Sequence, residues 1–175
     1  VRDVTFTDLS HVKSIQKYTI SAQMVLDEAT KLNLEILQPQ RGTNRKHTLL
    51  YLLDKTKTAM GGRLLRKWLG APLIDIQRIR RRQDAVESLL EHSLREGLQT
   101  ELQAVYDLER LAGKVAQLSI SPKSLKSMAD SILRLPNIFN PLEDLSAFKG
   151  FIPDDIPLDL AQQILTALEE EPPIS

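Results

Sequence analysis

Apolar positions recur at helical spacing along most of the chain, and the recurrences are bounded by residues that start or stop helices. Met60, Leu64 and Trp68 stand at i, i+4 and i+8 between Thr58, whose hydroxyl is placed to cap a first turn, and a Gly70-Ala-Pro72 stop. Ile76, Ile79, Gln83, Val86 and Leu90 form the stripe of the next helix, capped by Asp75. Gly97 then separates this helix from a longer pattern in which Leu98, Leu102, Val105, Leu108, Leu111 or Ala112, Val115 and Leu118 recur, with a bend allowed at Gly113. Ser121-Pro122 is a cap followed by a first-turn proline, a strong helix start. Leu125, Met128, Ile132 and Leu135 are the stripe of that helix, and Pro136 ends it.

The two ends of the chain read less regularly. Val1–Thr7 alternates like a short strand or extended arm, and Asp8 or Ser10 can cap a short helix carrying Leu9, Val12 and Ile15. Tyr18–Leu26 leans towards strand, Asp27–Thr30 reads as a tight turn, and Asn33–Leu37 is a second apolar run, together a small hairpin-like piece. Residues 38–47 form a polar basic loop, and Thr48–Leu53 a short apolar helix. Residues 140–157 hold three prolines with Phe148 and Phe151 and read as a connection. A last helix begins near Leu158 and carries Leu160, Ile164, Ala167 and Leu168. Glu169–Glu171 at its end oppose the macrodipole, so this end frays or requires residues beyond Ser175. The fold class expected is mainly α, a multi-helix domain with at most a small β element near the N-terminus.

Two details of the stretch from Asp54 to Leu73 single it out. Trp68, the only tryptophan, lies on the apolar stripe and is expected to anchor packing. Gly61-Gly62 sits inside a helical pattern, where each glycine costs about 1 kcal/mol relative to alanine. Glycine at such a place implies that another backbone or side chain comes very close.

Composition narrows the class without naming a function. A chain of 175 residues with 42% hydrophobic and 26% charged residues fits one globular domain. No apolar run is long enough for a bilayer and no charged-then-apolar leader opens the sequence, so export and insertion are not expected. The absence of cysteine excludes disulfides and thiolate metal sites and fits a reducing compartment. Net charge is zero, but its distribution is not even. Arg41 to Arg82 holds twelve Lys/Arg against two Asp/Glu, and Asn140 to Ser175 holds eight Asp/Glu against one Lys. Such asymmetry suits two faces with different partners, or two parts that attract each other.

No catalytic constellation stands out. His11, His47 and His92 are widely spaced, and the sequence holds neither H-E-x-x-H nor a G-x-S-x-G elbow nor a phosphate loop. Asp107, Glu109 and Arg110 can be read as acid–base groups, but a charge cluster that pairs neighbouring helices is the better reading. The run Arg78–Arg82 and the loop Arg41–His47 are candidates for weak DNA-phosphate contacts, through Arg41, Arg45, Lys46, Arg78, Arg81 and Arg82. Four arginines on one amphipathic helix are more often a solvated or ion-paired face, and no aromatic is interleaved to stack bases.

An ordered series of motifs carries a resemblance. Met24-Val-Leu-Asp27-Glu-Ala-Thr30-Lys-Leu-Asn33-Leu-Glu35, then Asp54–Leu73 with its Thr58-Ala-Met-Gly-Gly-Arg-Leu-Leu-Arg66 centre, Ile79–Val86, Asp107–Gly113, Pro122-Lys-Ser-Leu125 with Leu135-Pro136, and Glu170-Glu-Pro-Pro173 follow one another. In kind and order this series resembles the core region of the MutS family of DNA mismatch-repair ATPases. The sequence departs from the family at Lys46-His-Thr48, where a Gly-Ser lead-in is common, and at Leu32, where Arg is common.

The resemblance implies the end of a connector over residues 1–20 and the first part of a core, or lever, domain over 21–175, without the clamp, the ATPase domain or the mismatch-reading module. It implies a helical scaffold with an allosteric role and no catalytic site of its own. Asp27, Asn33, Gly61, Gly62, Arg63, Trp68, Asp107, Glu109 and Arg110 are the structural or allosteric candidates. No cofactor is expected within the chain; ATP and Mg belong to the family's ATPase domain. Mismatched duplex DNA, a second subunit and a MutL-type protein are the family's partners, and a bacterial cytoplasmic, nucleoid-associated location goes with them. A MutS-type paralogue acting outside mismatch repair, or an unrelated helical module binding a protein or RNA, are the competing readings.

Overall fold

The computed structural model describes residues 23–168, the side chain of His92 excepted. Helices α1 (Glu28–Asn33), α2 (Leu49–Leu53), α3 (Ala59–Gly70) and α4 (Ile76–Ser88) make a first layer. Helices α5 (His92–Gln103), α6 (Leu108–Ala116), α7 (Pro122–Phe139) and α8 (Leu158–Ala167) make a bundle beside it. Short 3₁₀ turns at Arg45–His47, Asn140–Leu142 and Ser146–Phe148 punctuate the connections. The fold is mainly α, and the one β feature among the described residues is an isolated bridge between Gln23 and Leu73. No described helix is long and apolar enough to cross a membrane.

Most helix starts follow from their caps. The side chains of Thr48, Thr58, Asp75 and Ser121 each accept a hydrogen bond from an amide in the first turn of the helix that follows. Asp27 does the same at 2.6 Å from the Thr30 amide, so the expected tight turn over Asp27–Thr30 is instead the start of α1. Glu28 in the first turn, paired with Lys31 at 2.8 Å, adds to the preference for helix. The expected hairpin therefore does not form over residues 23–37; Met24 donates to the Pro72 carbonyl at 2.7 Å, and no strand extends from there. The arm, short helix and strand-like stretch expected over residues 1–22, and the expected glutamate-rich end at 169–171, lie outside the described residues.

Two helices end in the same unusual way. After α1, Ile36 N–H reaches the Lys31 carbonyl and Glu35 N–H the Leu32 carbonyl. After α6, Ser119 N–H reaches the Lys114 carbonyl and Leu118 N–H the Val115 carbonyl. Both are Schellman closures, and they put Glu35 (φ 49°) and Leu118 (φ 52°) in the left-handed region where glycine is usual. Glu35 Oε1 is also held by the Gln40 amide at 2.9 Å.

The bundle is organised on α7, which buries residues on two sides. Ala129 and Ile132 face Ala161 of α8, and both alanines have 0% exposure, so two small side chains allow the most extensive helix pairing in the molecule. Ile138 joins Leu98, Val105 and Leu142 in a second cluster, with Met60, Leu89, Leu94, Leu135 and Phe148 against it. Leu108 packs against both clusters. Ser131, fully buried, links α7 to the α5–α6 connection by accepting from Tyr106 N–H at 3.0 Å and donating to the Ser127 carbonyl at 2.7 Å.

Three expected boundaries move. α7 continues through Pro136 to Phe139. The cost of about 3 kcal/mol for an internal proline is offset by burial of Ile138, worth roughly 1.5–3 kcal/mol, and by partial burial of Phe139. Gly97 lies inside α5, with nothing within 4 Å of where a Cβ would stand, and separates nothing. The long pattern from Leu98 to Leu118 is instead interrupted at Ala104–Asp107, where Asp107 caps α6; Gly113 sits within α6 without ending it.

Candidate coupling site between the two layers

Arg63 lies in the second turn of α3, and Asp107 and Glu109 stand at the first turn of α6. Arg63 is more than forty residues from the two acids in sequence, and the three meet as an ion cluster. Arg63 Nη1 and Nη2 donate to the two oxygens of Asp107 at 2.7 and 2.8 Å, the parallel fork that only a guanidinium provides. Its Nε and Nη2 both reach Glu109 Oε2, at 3.0 and 2.5 Å. Asp107 Oδ1 also accepts the Arg110 amide at 3.2 Å as the cap of α6, so one carboxylate starts a helix and holds its neighbour layer. Two anions at a helix N-terminus are favourable with the macrodipole.

Hydrogen bonds from Arg63 come first among the causes that hold the Asp107 carboxyl down at about 2, and those to Asp107 and then Glu109 raise the Arg63 guanidinium further above its usual value. At neutral pH the Asp107 carboxyl is ionised and the Arg63 guanidinium charged, the forms that the fork requires. Arg110 gives the cluster its backbone amide.

A second clasp lies along α4. The Arg81 guanidinium sits 4.5 Å from the centroid of the Phe151 ring, and its Nη2 donates to the Lys149 carbonyl. Gly150 between them has φ +77°, so a side chain there would be strained by the backbone, while its Cβ would meet Arg81 Nη2 at an ordinary 3.6 Å. Arg82 lies over the Trp68 ring at 3.6 Å. Burial there, then the nearby Arg78, lower its guanidinium pKa. Two of the arginines considered for phosphates are therefore engaged in holding helices.

Trp68 differs from expectation. It is 40% exposed and lines an open groove with Leu73, Ile79, Val86 and Leu90, because α3 turns Met60, not Trp68, towards the core. Of the glycine pair only Gly61 is approached closely, and by its own lead-in, not by a second helix. A Cβ on Gly61 would stand 3.1 Å from Thr58 Oγ1, and one on Gly62 3.4 Å from Thr56 Oγ1. That lead-in is fixed by Asp54, whose Oδ1 accepts from Thr56 N–H and Oγ1–H at 3.1 and 2.6 Å, and the latter bond is the main reason its carboxyl titrates low.

The remaining candidates lie elsewhere. Asp27 caps α1, and Asn33 Oδ1 accepts from Gln40 Nε2 at 3.4 Å. Arg41, Arg45 and Lys46 are exposed on the loop before α2, and Arg78 on the outer side of α4. Sequence reasoning did not find Ser131, Lys149 or Phe151, since a single serine or a loop phenylalanine carries no periodic signal of its long-range partner.

An open cleft of about 710 Å³ beside the α5–α6 connection is lined by Tyr106, Asp130, Arg134 and Asn137. Among the described residues no group of three or more His, Asp or Glu stands close enough to hold a metal ion.

Residues 29–175 match the family model described as MutS domain III. The chain is similar to the DNA mismatch repair protein MutS of Alkaliphilus metalliredigens, 43% identical over 169 residues that cover 94% of this chain and 19% of that protein. Its similarity to the MutS of Halothermothrix orenii is 41% over 179 residues, covering 100% of this chain and 20% of that one. For the MutS of Bacillus subtilis the figures are 40% over 174 residues, 95% and 20%. The chain thus spans about a fifth of the length of the curated relatives it matches.

Proposed function

Since the chain belongs to the MutS domain III family, we propose that it is a helical scaffold segment of a DNA mismatch-repair ATPase, transmitting change between a DNA-gripping clamp and an ATPase domain. In this reading residues 1–20 end a connector and 21–175 begin the core, or lever, domain. Binding of mismatched duplex DNA, ATP and Mg, dimerisation and engagement of a MutL-type protein belong to the whole protein, working in the bacterial cytoplasm at the nucleoid. The relatives' own description as mismatch repair proteins favours this over a paralogue acting outside repair.

The observation that carries the reading is the Arg63 fork. It ties α3 to the start of α6 by charge-assisted bonds, beside the apolar contact that Met60 of α3 makes with the bundle. Rigid helices joined by an exposed polar tie suit a part that must hold two arrangements, whereas interdigitated apolar packing would favour one.

The test uses the Bacillus subtilis MutS with its matching segment replaced by this chain. Mismatched-duplex affinity, ATP hydrolysis and ATP-triggered release of the duplex are measured with Arg63 intact, with Arg63→Lys and with Arg63→Ala. The expected outcome is that Arg63→Ala keeps affinity and hydrolysis but slows ATP-triggered release, and that Arg63→Lys, which cannot make the fork, resembles it. Release unchanged in Arg63→Ala would refute the coupling role.

A further inference from the structure

We propose that the open apolar groove between α3 and α4 is the seat of this chain's own N-terminal segment, with Leu9, Val12 and Ile15 laid into it. The groove, about 790 Å³, is lined by Trp68 of α3, Pro72 and Leu73 of the connection, and Ile79, Val86 and Leu90 of α4. Trp68, Val86 and Leu90 are exposed there, as are Ile74 and Ile76 on the way into α4. A contiguous apolar surface of this kind marks an interaction site.

The path of the chain selects the occupant. Gln23 bridges Leu73, and Met24 N–H donates to the Pro72 carbonyl at 2.7 Å, so the polypeptide enters the described fold at the rim of the groove. The bridge is antiparallel. Followed backwards from Gln23, the chain therefore heads the way it takes after Leu73, past Ile74 towards α4 and the length of the groove.

Residues 1–22 lie outside the described residues, and their sequence carries the matching pattern. Leu9, Val12 and Ile15 recur at three-residue spacing behind Asp8 and Ser10, either of which can cap a helix, so they share one side of it. An amphipathic helix laid by its apolar side into a groove is a recurrent mode of recognition. The lengths agree. From Leu9 to Ile15 a helix rises about 9 Å, while Ile79 to Leu90 spans about 16 Å of α4. The eight residues from Ile15 to Gln23 reach at most about 29 Å, enough to bring the stripe anywhere along that span. Tethering favours this occupant over any other. A segment on so short a linker faces its groove at an effective concentration on the order of mM, so a free partner at micromolar concentration must bind about a thousandfold tighter to displace it. Groove and occupant belong to one chain, so the inference does not rest on the scaffold reading.

Trp68 is the only tryptophan and the chain has no cysteine, so the full 175-residue chain offers both a reporter and a clean background for a cross-link. Acrylamide quenching of Trp68 fluorescence is compared between the parent and a variant carrying Leu9→Gln, Val12→Gln and Ile15→Gln together. The parent should shield the ring at every protein concentration, and the triple variant should lose the shielding and emit further to the red. Ser14→Gln, on the opposite side of that helix, should leave the emission where it was. In a separate chain carrying Val12→Cys and Val86→Cys, a short bismaleimide should join the two within one molecule. Val12→Cys with Leu118→Cys, exposed at the end of α6, should not be joined. Circular dichroism verifies that each variant is folded.

A Trp68 ring freely quenched in the parent overturns the proposal, and so does shielding that survives the triple substitution in a monomer. Shielding that grows with protein concentration, together with a dimer in sedimentation, also overturns it and assigns the groove to a second copy of the chain. A Val12–Val86 cross-link no faster than the Val12–Leu118 one overturns it whatever the fluorescence does.

Discussion

Replacing Ser131 with alanine removes one oxygen from a position with 0% exposure. That oxygen serves two bonds: it accepts the Tyr106 amide at 3.0 Å and donates to the Ser127 carbonyl at 2.7 Å. The Ser127 carbonyl keeps its place in the helical ladder, so its loss is small. Tyr106 N–H lies at the break between α5 and α6, where no helical acceptor replaces the hydroxyl, and an unsatisfied donor there costs about 1–3 kcal/mol. Alanine's better helix propensity returns roughly 0.5 kcal/mol. The net expectation is a destabilisation of about 0.5–2.5 kcal/mol. For a chain of this size that is a fall in Tm of roughly 1–10 °C. Thermal unfolding by circular dichroism measures it, and urea titration should show a lower midpoint with an unchanged slope. Amide hydrogen exchange gives a second reading, since the Tyr106 amide should lose protection out of proportion to its neighbours. Ser127→Ala is the control, because its hydroxyl only donates to the Lys123 carbonyl at the surface of the same helix. A Ser131→Ala protein melting within 1 °C of the parent, or no lower than the Ser127→Ala control, would refute the idea that this hydroxyl pins the break.

Leu118→Gly should stabilise. The side chain is 94% exposed and its φ of 52° is unfavourable for any residue with a Cβ, so relief of about 1–2 kcal/mol exceeds the glycine entropy cost of roughly 0.5–1 kcal/mol, and Tm should rise. Asp107 titrates near 2 in the folded chain against 3.8 unperturbed, so its contribution to stability is complete above the higher value and is lost as pH falls towards the lower. Asp107→Asn should therefore flatten the stability–pH curve below pH 4; an equally steep acid limb in the variant argues against the fork as its source. Gly62→Ala meets only ordinary contact and should gain up to about 1 kcal/mol of helix propensity. Gly61→Ala pushes at 3.1 Å on the hydroxyl that caps α3, so its Tm should fall below that of Gly62→Ala, and equal melting of the two would count against that clash.

What was legible in the sequence was local. Thr48, Thr58, Asp75 and Ser121 announce helices because a cap needs only the next three residues, and all four helices begin there. Pro136 misled because the reason the helix continues, burial of Ile138 among Leu98, Val105 and Leu142, is tertiary. Trp68 misled for the converse reason: a stripe shows which face is apolar, and here only its Met60 end meets the core. The charge cluster at Asp107 and Glu109 was readable as a pairing site, and Arg63 stood among the candidates. Their mutual fork was not readable, since nothing local relates α3 to α6.

Leu108, packed against both apolar clusters, has a consequence for how the molecule opens. A side chain shared by two clusters makes loss of one a cost to the other, so α5 to α8 should open as one cooperative unit. The first layer has no such shared residue; its buried apolar positions are Ile36, Leu50 and Leu73, dispersed along loops and short helices. Two tiers of persistence are expected, a bundle whose amides should exchange only on global unfolding and a layer that should open while the bundle stays intact. The Arg63 fork, the Arg81 clasp and the packing of Met60 on the bundle cluster join those tiers.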